Sequence, residues 1–291
     1  MKKIAILGCE NSHASSFLSA IAKYEEFSDV EVVGVYSDER EAAEKLRERY
    51  GTPVMENYSD AVGKIDGLVI VARNGDNHLK YARPYLDSGI PMYIDKPITN
   101  SEQDAITLVR ELESRKIRYT GGSCLRHDVD VKSLGVENRE SVDGLTVGGT
   151  VRAPLDSNSP YGGFFFYAPH LVETVMEIFG KYPKSVMAYK NGIKTTVIFR
   201  YEDYDITGLF VENNYYYFAE RQTEKGSKGM KLYSREGNDW IWSEFSEYYK
   251  LLSGGDQVIA PSDFIAPVFV MNAIKRSIDS GKEEKVNAIS I

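Results

Sequence analysis

Two short segments carry side chains suited to proton transfer and anion binding. The first is Asp95-Lys96-Pro97, which follows the apolar run Met92–Ile94, and the second contains His170. Proline fixes its own φ and ends a strand abruptly, so Lys96 is expected at a strand end, where its ammonium can bind an anion or orient a hydroxyl. An exposed lysine in a turn is an equally good interpretation of the same residues.

His170 lies near a predicted helix start. It follows the pair Gly162-Gly163, and Pro169 fits the first turn of a helix. Histidine titrates near neutral pH and can therefore act as a general acid or base. A histidine with a hydrogen-bond partner in the core explains the same pattern, and the segment alone slightly favours that structural role.

The N-terminal residues resemble an incomplete phosphate-binding loop. The apolar run Ile4–Leu7 predicts a strand, Gly8 ends it, and a helical pattern begins near Ser12. A second glycine is expected two residues after the first, where the backbone approaches a pyrophosphate, but Glu10 stands there. A carboxylate about 5 Å from a pyrophosphate costs roughly 1–3 kcal/mol at an effective dielectric constant between about 80 and 20. Alternatively, Glu10 itself occupies the anion site at the helix N-terminus.

Strands alternate with helices through the first 123 residues. The predicted strands are Ile4–Leu7, Val30–Tyr36, Gly67–Ala72, Met92–Ile94 and Ile117–Thr120. This alternation predicts right-handed βαβ units and a doubly wound parallel sheet. Ligands of such sheets bind at the carboxyl ends of the strands. Those ends are Gly8–His13, Tyr36–Asp38, Arg73–Asn77 and Asp95–Pro97.

The pattern changes after about residue 123 and becomes rich in strands. Predicted strands are Asp143–Ala153, Ser185–Tyr189, Thr195–Tyr201, Ile206–Val211 and Tyr215–Glu220, with a tight turn at Asn213-Asn214. Predicted helices are Phe166–Phe179 and Ser262–Ser280. We therefore predict an α/β protein with a nucleotide-binding type of domain over 1–123. The domain over 124–291 is predicted to have a large, mainly antiparallel open sheet and a final helix over 262–280.

Composition narrows the possible partners. The chain has 291 residues and a net charge of −8, so repulsion from phosphates argues against a nucleic-acid partner. The basic stretch Lys225–Lys231 is interrupted by glycines and is interpreted as a hairpin turn. Cys9 and Cys124 are far apart, and the histidines show no metal-ligand spacing, so neither a disulfide nor a metal site is predicted. No membrane-spanning or signal-peptide run occurs, and we predict a cytoplasmic protein.

The segments together resemble the glucose–fructose oxidoreductase / inositol dehydrogenase / MocA (Gfo/Idh/MocA) family of NAD(P)-dependent oxidoreductases. Gly67–Ala72 followed by Asn74 and His78 is similar to that family's strand and Pro-Asn-x-x-His loop. Asp95-Lys96-Pro97 is similar to its Glu-Lys-Pro signature, and Gly162–His170 to the glycine-led helix with its catalytic histidine. Gly121–Arg126 and Pro261–Val286 resemble two further segments, so the resemblance runs nearly end to end.

The resemblance implies a Rossmann domain that binds NAD or NADP and a second domain whose open sheet forms a homodimer or homotetramer. It implies that Lys96 lies beside the nicotinamide and the substrate hydroxyl, and that His170 exchanges the hydroxyl proton. The implied cofactor-binding residues are Gly8, Cys9, Glu10, Asn11, Ser12, His13, Ser37, Asp38, Ala72, Arg73, Asn74, His78, Asp95, Lys96 and Pro97. The candidate substrate-binding residues, for a carbohydrate-like small molecule, are Arg126, His127, Arg152, Tyr161, Tyr167 and His170.

The sequence departs from the family pattern at three places. Only the first glycine of the phosphate loop remains. The family has an aspartate one turn before the histidine, where this chain has Phe166; Glu173, one turn after, either substitutes for it or is a surface residue, and we favour the surface. Asp38 either meets the cofactor ribose, which favours NAD, or caps the next helix, and Arg40 leaves NADP open.

These departures leave three functions open. The leading prediction is an NAD(P)-dependent oxidoreductase that acts on a carbohydrate-like alcohol or ketone. The alternative is a non-catalytic small-molecule-binding or regulatory protein of the same fold, which Glu10 and Phe166 favour. A lyase or hydrolase that uses a transient oxidation is the third.

Overall fold

The computed structural model describes residues 1–135, 144–234 and 239–291. These residues form two compact units. The first contains Met1–Gly122 and Ile241–Phe264, and the second contains Ser123–Trp240 and Ile265–Ser290. The prediction is of two consecutive domains, 1–123 and 124–291. The units differ from it because the late segment Ile241–Phe264 belongs to the first unit.

The first unit is built on a five-stranded sheet. Its strands are β1 Lys2–Leu7, β2 Val30–Tyr36, β3 Gly67–Ile70, β4 Met92–Asp95 and β5 Tyr119–Gly122. Its helices are α1 Ser12–Lys23, α2 Arg40–Tyr50, α3 Asp76–Ala82 and α4 Glu102–Ser114. The strand order is β2-β1-β3-β4-β5 and every pair is parallel. The predicted doubly wound parallel sheet is confirmed.

Local sequence explains three helix boundaries in this unit. Helix α4 begins after Ser101, whose hydroxyl accepts a hydrogen bond from the Asp104 amide at 3.1 Å. Helix α2 ends at Gly51, which adopts a left-handed φ of 71°. The predicted helix over His78–Leu86 is instead α3 followed by a 3₁₀ turn over Arg83–Ser88, because a proline at the start of that turn cannot donate an α-helical hydrogen bond.

The second unit contains a seven-stranded mixed sheet. Its strands are β6 Thr146–Leu155, β7 Ser185–Asn191, β8 Lys194–Arg200, β9 Asp205–Glu212, β10 Phe218–Thr223, β11 Gly226–Lys231 and β12 Glu284–Lys285. The order is β11-β10-β6-β9-β8-β7-β12, and β6 and β9 pair in parallel while the other pairs are antiparallel. Helices α5 Val129–Leu134 and α6 Phe164–Phe179 belong to this unit. The predicted large, mainly antiparallel sheet is confirmed.

Several details of the predicted strands are wrong. Asn213 has a left-handed φ of 51°, as a turn residue should, but β9 and β10 are separated in the sheet by β6 rather than paired. The basic stretch is strand β11, not the turn, because six residue pairs align it with β10. Strand β10 begins at Phe218, after the predicted start at Tyr215. The predicted start of β6 at Asp143 lies outside the described residues.

Two long helices close the chain: α7 Trp240–Leu252 and α8 Pro261–Ser280. Helix α7 is absent from the predicted elements. Its Phe245 ring lies 5.3 Å from Phe17 and 4.8 Å from Phe27, between centroids, and is fully buried. This aromatic packing explains why Ile241–Phe264 belongs to the first unit, since it fills the core beside α1. Among the described helices, none has the length and apolar composition needed to cross a lipid bilayer.

Candidate functional site

The strand-end loop after β1 requires glycine at Gly8. Gly8 has a φ of +82°, and a Cβ atom added there would lie 2.3 Å from the backbone nitrogen of Ala72 at the end of β3. A side chain therefore cannot be placed there without moving the backbone. The one glycine that the loop keeps is the one that the close approach of β1 and β3 demands.

Glu10 spans the carboxyl ends of three neighbouring strands. Its carboxylate accepts a hydrogen bond from the Ser37 hydroxyl at 2.7 Å and another from the Arg73 amide at 3.0 Å. The cap of α1 is instead Asn11, whose side-chain oxygen accepts from the His13 amide at 3.1 Å. The interpretation that Glu10 occupies the anion site at the helix N-terminus is therefore wrong, because its charge is directed across the sheet edge.

Replacing Glu10 with glycine is expected to strengthen NAD(H) binding by about tenfold to a hundredfold. The variant removes a carboxylate from the loop that would face the phosphates of a bound dinucleotide, and the repulsion removed would be roughly 1–3 kcal/mol. Titration calorimetry with NADH measures the change. Glu10→Gln keeps an acceptor for the Arg73 amide but not the charge, so it separates repulsion from loop structure, and Glu48→Gln on the surface of α2 controls for net charge. An unchanged dissociation constant in both Glu10 variants would contradict the expectation.

Asp95 is the centre of a buried polar cluster. It has no exposed surface, and its carboxylate lies 2.8 Å from Asn11 Nδ2, 3.0 Å from His13 Nδ1 and 2.7 Å from the Lys96 amide. Burial alone would raise the pKa of Asp95, but the neighbouring His13 and Lys96 lower it below its usual value. The cluster connects the start of α1 to the end of β4. Its His13 stands at the sequence position where a phosphate loop has its third glycine.

A second buried acid, Glu244 of α7, extends this cluster. Donor atoms of His13, Asp95 and Glu244 lie within 4.8 Å of one another, which sequence spacing could not predict because α7 is distant in the chain. The Tyr93 hydroxyl donates to Glu244, and Asn11 donates to Asp95. These hydrogen bonds reach one oxygen of Glu244 and one of Asp95, and the cluster forms a buried polar core between β4, α1 and α7.

Lys96 follows this cluster and is buried. Only 4% of it is exposed, so the interpretation as an exposed turn lysine is wrong. The Lys96–Pro97 peptide bond is cis, and Pro97 is buried as well. Ligands of doubly wound sheets bind at the carboxyl ends of the strands, so a ligand of this sheet would bind close to Lys96.

The end of β2 presents a carboxylate that does not cap a helix. The cap position of α2 is Glu39, and Asp38 instead accepts from the Tyr36 hydroxyl at 2.6 Å and from Lys80 at 3.3 Å. Burial opposes ionisation, yet the hydrogen bonds from Tyr36, Tyr81 and Lys80 hold the pKa of Asp38 below its usual value. The helix-cap interpretation of Asp38 is therefore wrong, while its predicted contact with a ribose stays a prediction.

The loop after β3 is held by side chains as well as by its own backbone hydrogen bonds. His78 is fully buried, and its ring nitrogens lie 3.1 Å from the Ile98 carbonyl and 2.9 Å from the Ala72 carbonyl. Asn74 Oδ1 accepts from Asn100 at 2.7 Å. His78 thus connects the loops after β3 and β4, and its position favours a structural role over the predicted cofactor contact.

Two further loop residues differ in exposure. Cys9 is buried, and burial raises the pKa of its thiol to about 12, so the thiol is unreactive at neutral pH. Ser12 is exposed, with its hydroxyl 3.5 Å from Asn11 Oδ1. Of these two, Ser12 is the one that a bound phosphate could reach.

In the second unit, His170 is bonded to a residue that the sequence patterns did not indicate. The Ser123 hydroxyl lies 2.8 Å from His170 Nδ1, and the Ser123 amide donates to Glu173 at 2.8 Å. Glu173 is only 6% exposed, so its interpretation as a surface residue is wrong. Ser123 lies 47 residues before His170, so no local spacing could reveal the contact.

Aromatic rings surround the histidine. The His170 ring lies edge-on to Tyr167 at 5.6 Å and to Tyr217 at 6.0 Å, and Tyr161 reaches the same group through Phe166 at 5.6 Å. Tyr161 and Tyr167, predicted to bind substrate, are both half-buried. A partly exposed aromatic lining of this kind suits the apolar face of a ring-shaped ligand.

The remaining predicted substrate-binding residues differ in how far contacts within the protein already occupy their side chains. Arg152 donates to the Tyr216 carbonyl, and to Asn214 at 2.7 Å, so its guanidinium holds the chain before β10. His127 is buried at the end of a 3₁₀ turn. Arg126, in the same turn, is half-buried, and its charge acts on Glu173. The predicted substrate-binding role is thus least supported for Arg152.

Stability should depend on pH through Glu173. Burial raises its pKa from 4.5 to about 7, although Arg126 and the Ser123 amide oppose the shift. Between these two pH values the unfolded chain has lost the proton that the folded chain keeps. The free energy of unfolding therefore falls as pH rises, by up to about 3 kcal/mol above pH 7.

The variant Glu173→Gln is expected to be more stable than the parent above pH 7 and equally stable below pH 4.5, as measured by urea unfolding. Glutamine keeps an acceptor for the Ser123 amide but cannot ionise. Glu48→Gln, on the exposed surface of α2, controls for the loss of a carboxylate. Parallel stability curves for parent and Glu173→Gln would refute this expectation.

Comparisons with known proteins identify the first unit. The family model described as "Oxidoreductase family, NAD-binding Rossmann fold" (Gfo/Idh/MocA) matches residues 2–123. Residues 2–123 thus resemble the NAD-binding domain of the Gfo/Idh/MocA oxidoreductases. The resemblance inferred from Asn74, His78 and Asp95-Lys96-Pro97 is thereby confirmed for this domain. A comparison with curated protein sequences gave no significant match.

Solved structures extend the fold similarity to the whole chain. A myo-inositol dehydrogenase from Corynebacterium glutamicum is 16% identical, with a TM-score of 0.80 over 99% of this chain and 100% of that one. A scyllo-inositol dehydrogenase from Lactobacillus casei is 15% identical, with a TM-score of 0.82 over 99% of each chain. The WlbA dehydrogenase from Chromobacterium violaceum, in complex with NADH and UDP-GlcNAcA, is 14% identical, with a TM-score of 0.81 over 99% of this chain and 97% of that one. The two units together therefore have the fold of these dehydrogenases.

Proposed function

We propose that this protein is an NAD(P)-dependent oxidoreductase that transfers hydride between the nicotinamide and a carbohydrate-like alcohol or ketone. The match of residues 2–123 to an NAD-binding oxidoreductase family carries the proposal. The names of structures with the same fold, which include dehydrogenases of inositols and a dehydrogenase bound to a UDP-sugar, support the substrate class.

The residues of the first unit are compatible with a bound dinucleotide, except for one. Gly8 has no side chain that could obstruct a cofactor at the end of β1. The Asp38 carboxylate is suited to accept hydrogen bonds from ribose hydroxyls. The exception is Glu10, whose charge would repel the cofactor phosphates, although Ser37 and Arg73 bind its carboxylate across the sheet edge. We therefore expect binding that is weakened rather than abolished, with NAD or NADP as the cofactor.

Lys96 and His170 are the residues proposed to support the reaction. The bound nicotinamide would supply hydride transfer. The Lys96 ammonium would stabilise negative charge on the substrate oxygen, which favours the alkoxide over the alcohol. His170 would exchange the proton of that oxygen, and Ser123 orients its ring. The same residues would support a lyase or hydrolase that oxidises its substrate transiently.

The alternative is a small-molecule-binding or regulatory protein that has lost dinucleotide chemistry. It is favoured by the way Glu10 and His13 replace loop glycines and make contacts within the protein, to Ser37 and Asp95. Phe166, in place of an aspartate one turn before His170, favours it as well.

Titration calorimetry with NAD, NADH, NADP and NADPH separates the two functions. Micromolar binding of any of the four would support the oxidoreductase and would justify a screen of polyols and sugars. A folded protein that binds none of them would contradict the oxidoreductase and select the alternative. Nucleotide carried through purification is released by denaturation and assayed first.

We further propose a cytoplasmic homodimer or homotetramer that associates through the sheet of the second unit. Tyr189 on β7 is 52% exposed, and Ile198 and Leu209 are only partly buried on neighbouring strands. Both cysteines are buried thiols, which suits a reducing compartment. A monomeric mass in light scattering would contradict the assembly.

A further inference from the structure

Ser123 makes three hydrogen-bond contacts that together restrict its hydroxyl. It caps the 3₁₀ turn Cys124–His127, and its oxygen accepts from the Leu125 amide at 3.3 Å. The same oxygen lies 2.8 Å from His170 Nδ1. The Ser123 amide donates to Glu173 at 2.8 Å, so two residues one turn apart on α6 hold this serine. The side chain is fully buried, so water does not compete for its proton.

A serine hydroxyl has one hydrogen to donate and two positions at which it accepts. The Leu125 amide takes one accepting position. If His170 donated from Nδ1, the serine hydrogen would need another acceptor, and within residues 1–135, 144–234 and 239–291 the Ser123 hydroxyl makes no other hydrogen bond. A buried hydroxyl without an acceptor is costly, so donation to Nδ1 is the satisfied arrangement.

We infer that Ser123 is a positioning residue that donates to Nδ1 and holds neutral His170 with its proton on Nε2. A carboxylate, which only accepts hydrogen bonds, would do the opposite and hold the proton on Nδ1. The residue one turn before His170 on α6 is Phe166, which is not such a group. The serine therefore places on Nε2 the proton that a carboxylate in its place would hold on Nδ1.

The ring nitrogen that carries the proton decides which oxygen His170 suits. Nε2–H donates a hydrogen bond and can polarise a carbonyl oxygen, as a neutral imidazole does in other enzymes. An alcohol that must lose its proton needs an accepting nitrogen, which Nε2 becomes only after the ring proton moves to Nδ1. Resting on the proposed function, the preferred ligand of this site is thus a ketone or aldehyde rather than the corresponding alcohol.

Nitrogen-15 NMR of the histidine-labelled full chain tests the proton position without cofactor or substrate. The chain has four histidines, and His170→Gln assigns the signal. We expect neutral His170 to carry its proton on Nε2 with a preference of about fivefold or more. Ser123→Ala should abolish this preference, and Ser123→Asp should move the proton to Nδ1. Ser133→Ala, which removes a hydroxyl bonded to the Asp130 carbonyl on α5, should change nothing.

A proton on Nδ1 in the parent protein would overturn the inference, and so would an unchanged proton position in Ser123→Asp, which does not depend on Ser123→Ala folding.

The ligand class has its own test, in which 2-keto-myo-inositol and myo-inositol are titrated into the protein. Tighter binding of the ketone supports the carbonyl preference, while equal or absent binding of the pair overturns it. Failure of the proposed oxidoreductase function would leave the NMR result standing, so the two failures are distinguishable.

Discussion

Gly8→Ala is expected to lower the free energy of unfolding by more than about 4 kcal/mol and to abolish dinucleotide binding. The new Cβ would lie 2.3 Å from the Ala72 nitrogen and α-carbon, which are backbone atoms that cannot rotate away. The left-handed φ of +82° adds a cost of roughly 1–2 kcal/mol for a non-glycine residue. Relief requires β1 and β3 to separate at the strand ends where a cofactor would bind. Urea unfolding measures the loss.

Gly51→Ala is the matched control for this prediction. Gly51 also has a left-handed φ, of +71°, but nothing lies within 4 Å of an added Cβ. It should therefore show the conformational cost alone, about 1–2 kcal/mol, without the steric overlap. Equal losses in the two variants would mean that the backbone at Gly8 relaxes and that the close approach to Ala72 is not what requires glycine.

His170→Gln is expected to lower kcat by about a hundredfold to ten-thousandfold, the usual contribution of a positioned general acid or base. Glutamine keeps a donor near the Ser123 hydroxyl but cannot exchange a proton near neutral pH. The measurement is the absorbance of NADH during turnover of the substrate found in a screen of inositols and neutral sugars. The affinity for NADH should stay within about threefold of the parent value, since His170 lies in the second unit and the Rossmann sheet in the first.

Variants around His170 distinguish a catalytic ring from a structural one. A His170→Gln protein that keeps more than about a third of the parent kcat would assign the histidine to the core, as its near-complete burial alone suggests. Ser123→Ala should lower kcat by less than His170→Gln does, because it misplaces the proton without removing the ring. A larger loss in Ser123→Ala than in His170→Gln would reverse these roles.

The sequence by itself determined the parallel sheet and the strand ends that form its binding edge. Gly67–Ile70 is apolar throughout because it is buried on both faces, and Gly51 ends α2 because only glycine takes its φ at little cost. Periodicity, glycines and helix caps act over a few residues, so they can be interpreted one segment at a time. Asp95-Lys96-Pro97 was found on the same local grounds.

Only the tertiary structure decided which side chains meet. Glu10 bonds to Ser37 and Arg73, and Ser123 bonds to His170, across separations of 27, 63 and 47 residues. Helix α7 is absent from the predicted elements because the contacts of Phe245 with α1 and of Tyr248 with β4 join residues that are far apart in the chain. Partners in a folded chain are set by strand order and helix packing, and these depend on the summed burial of the whole unit rather than on any local pattern.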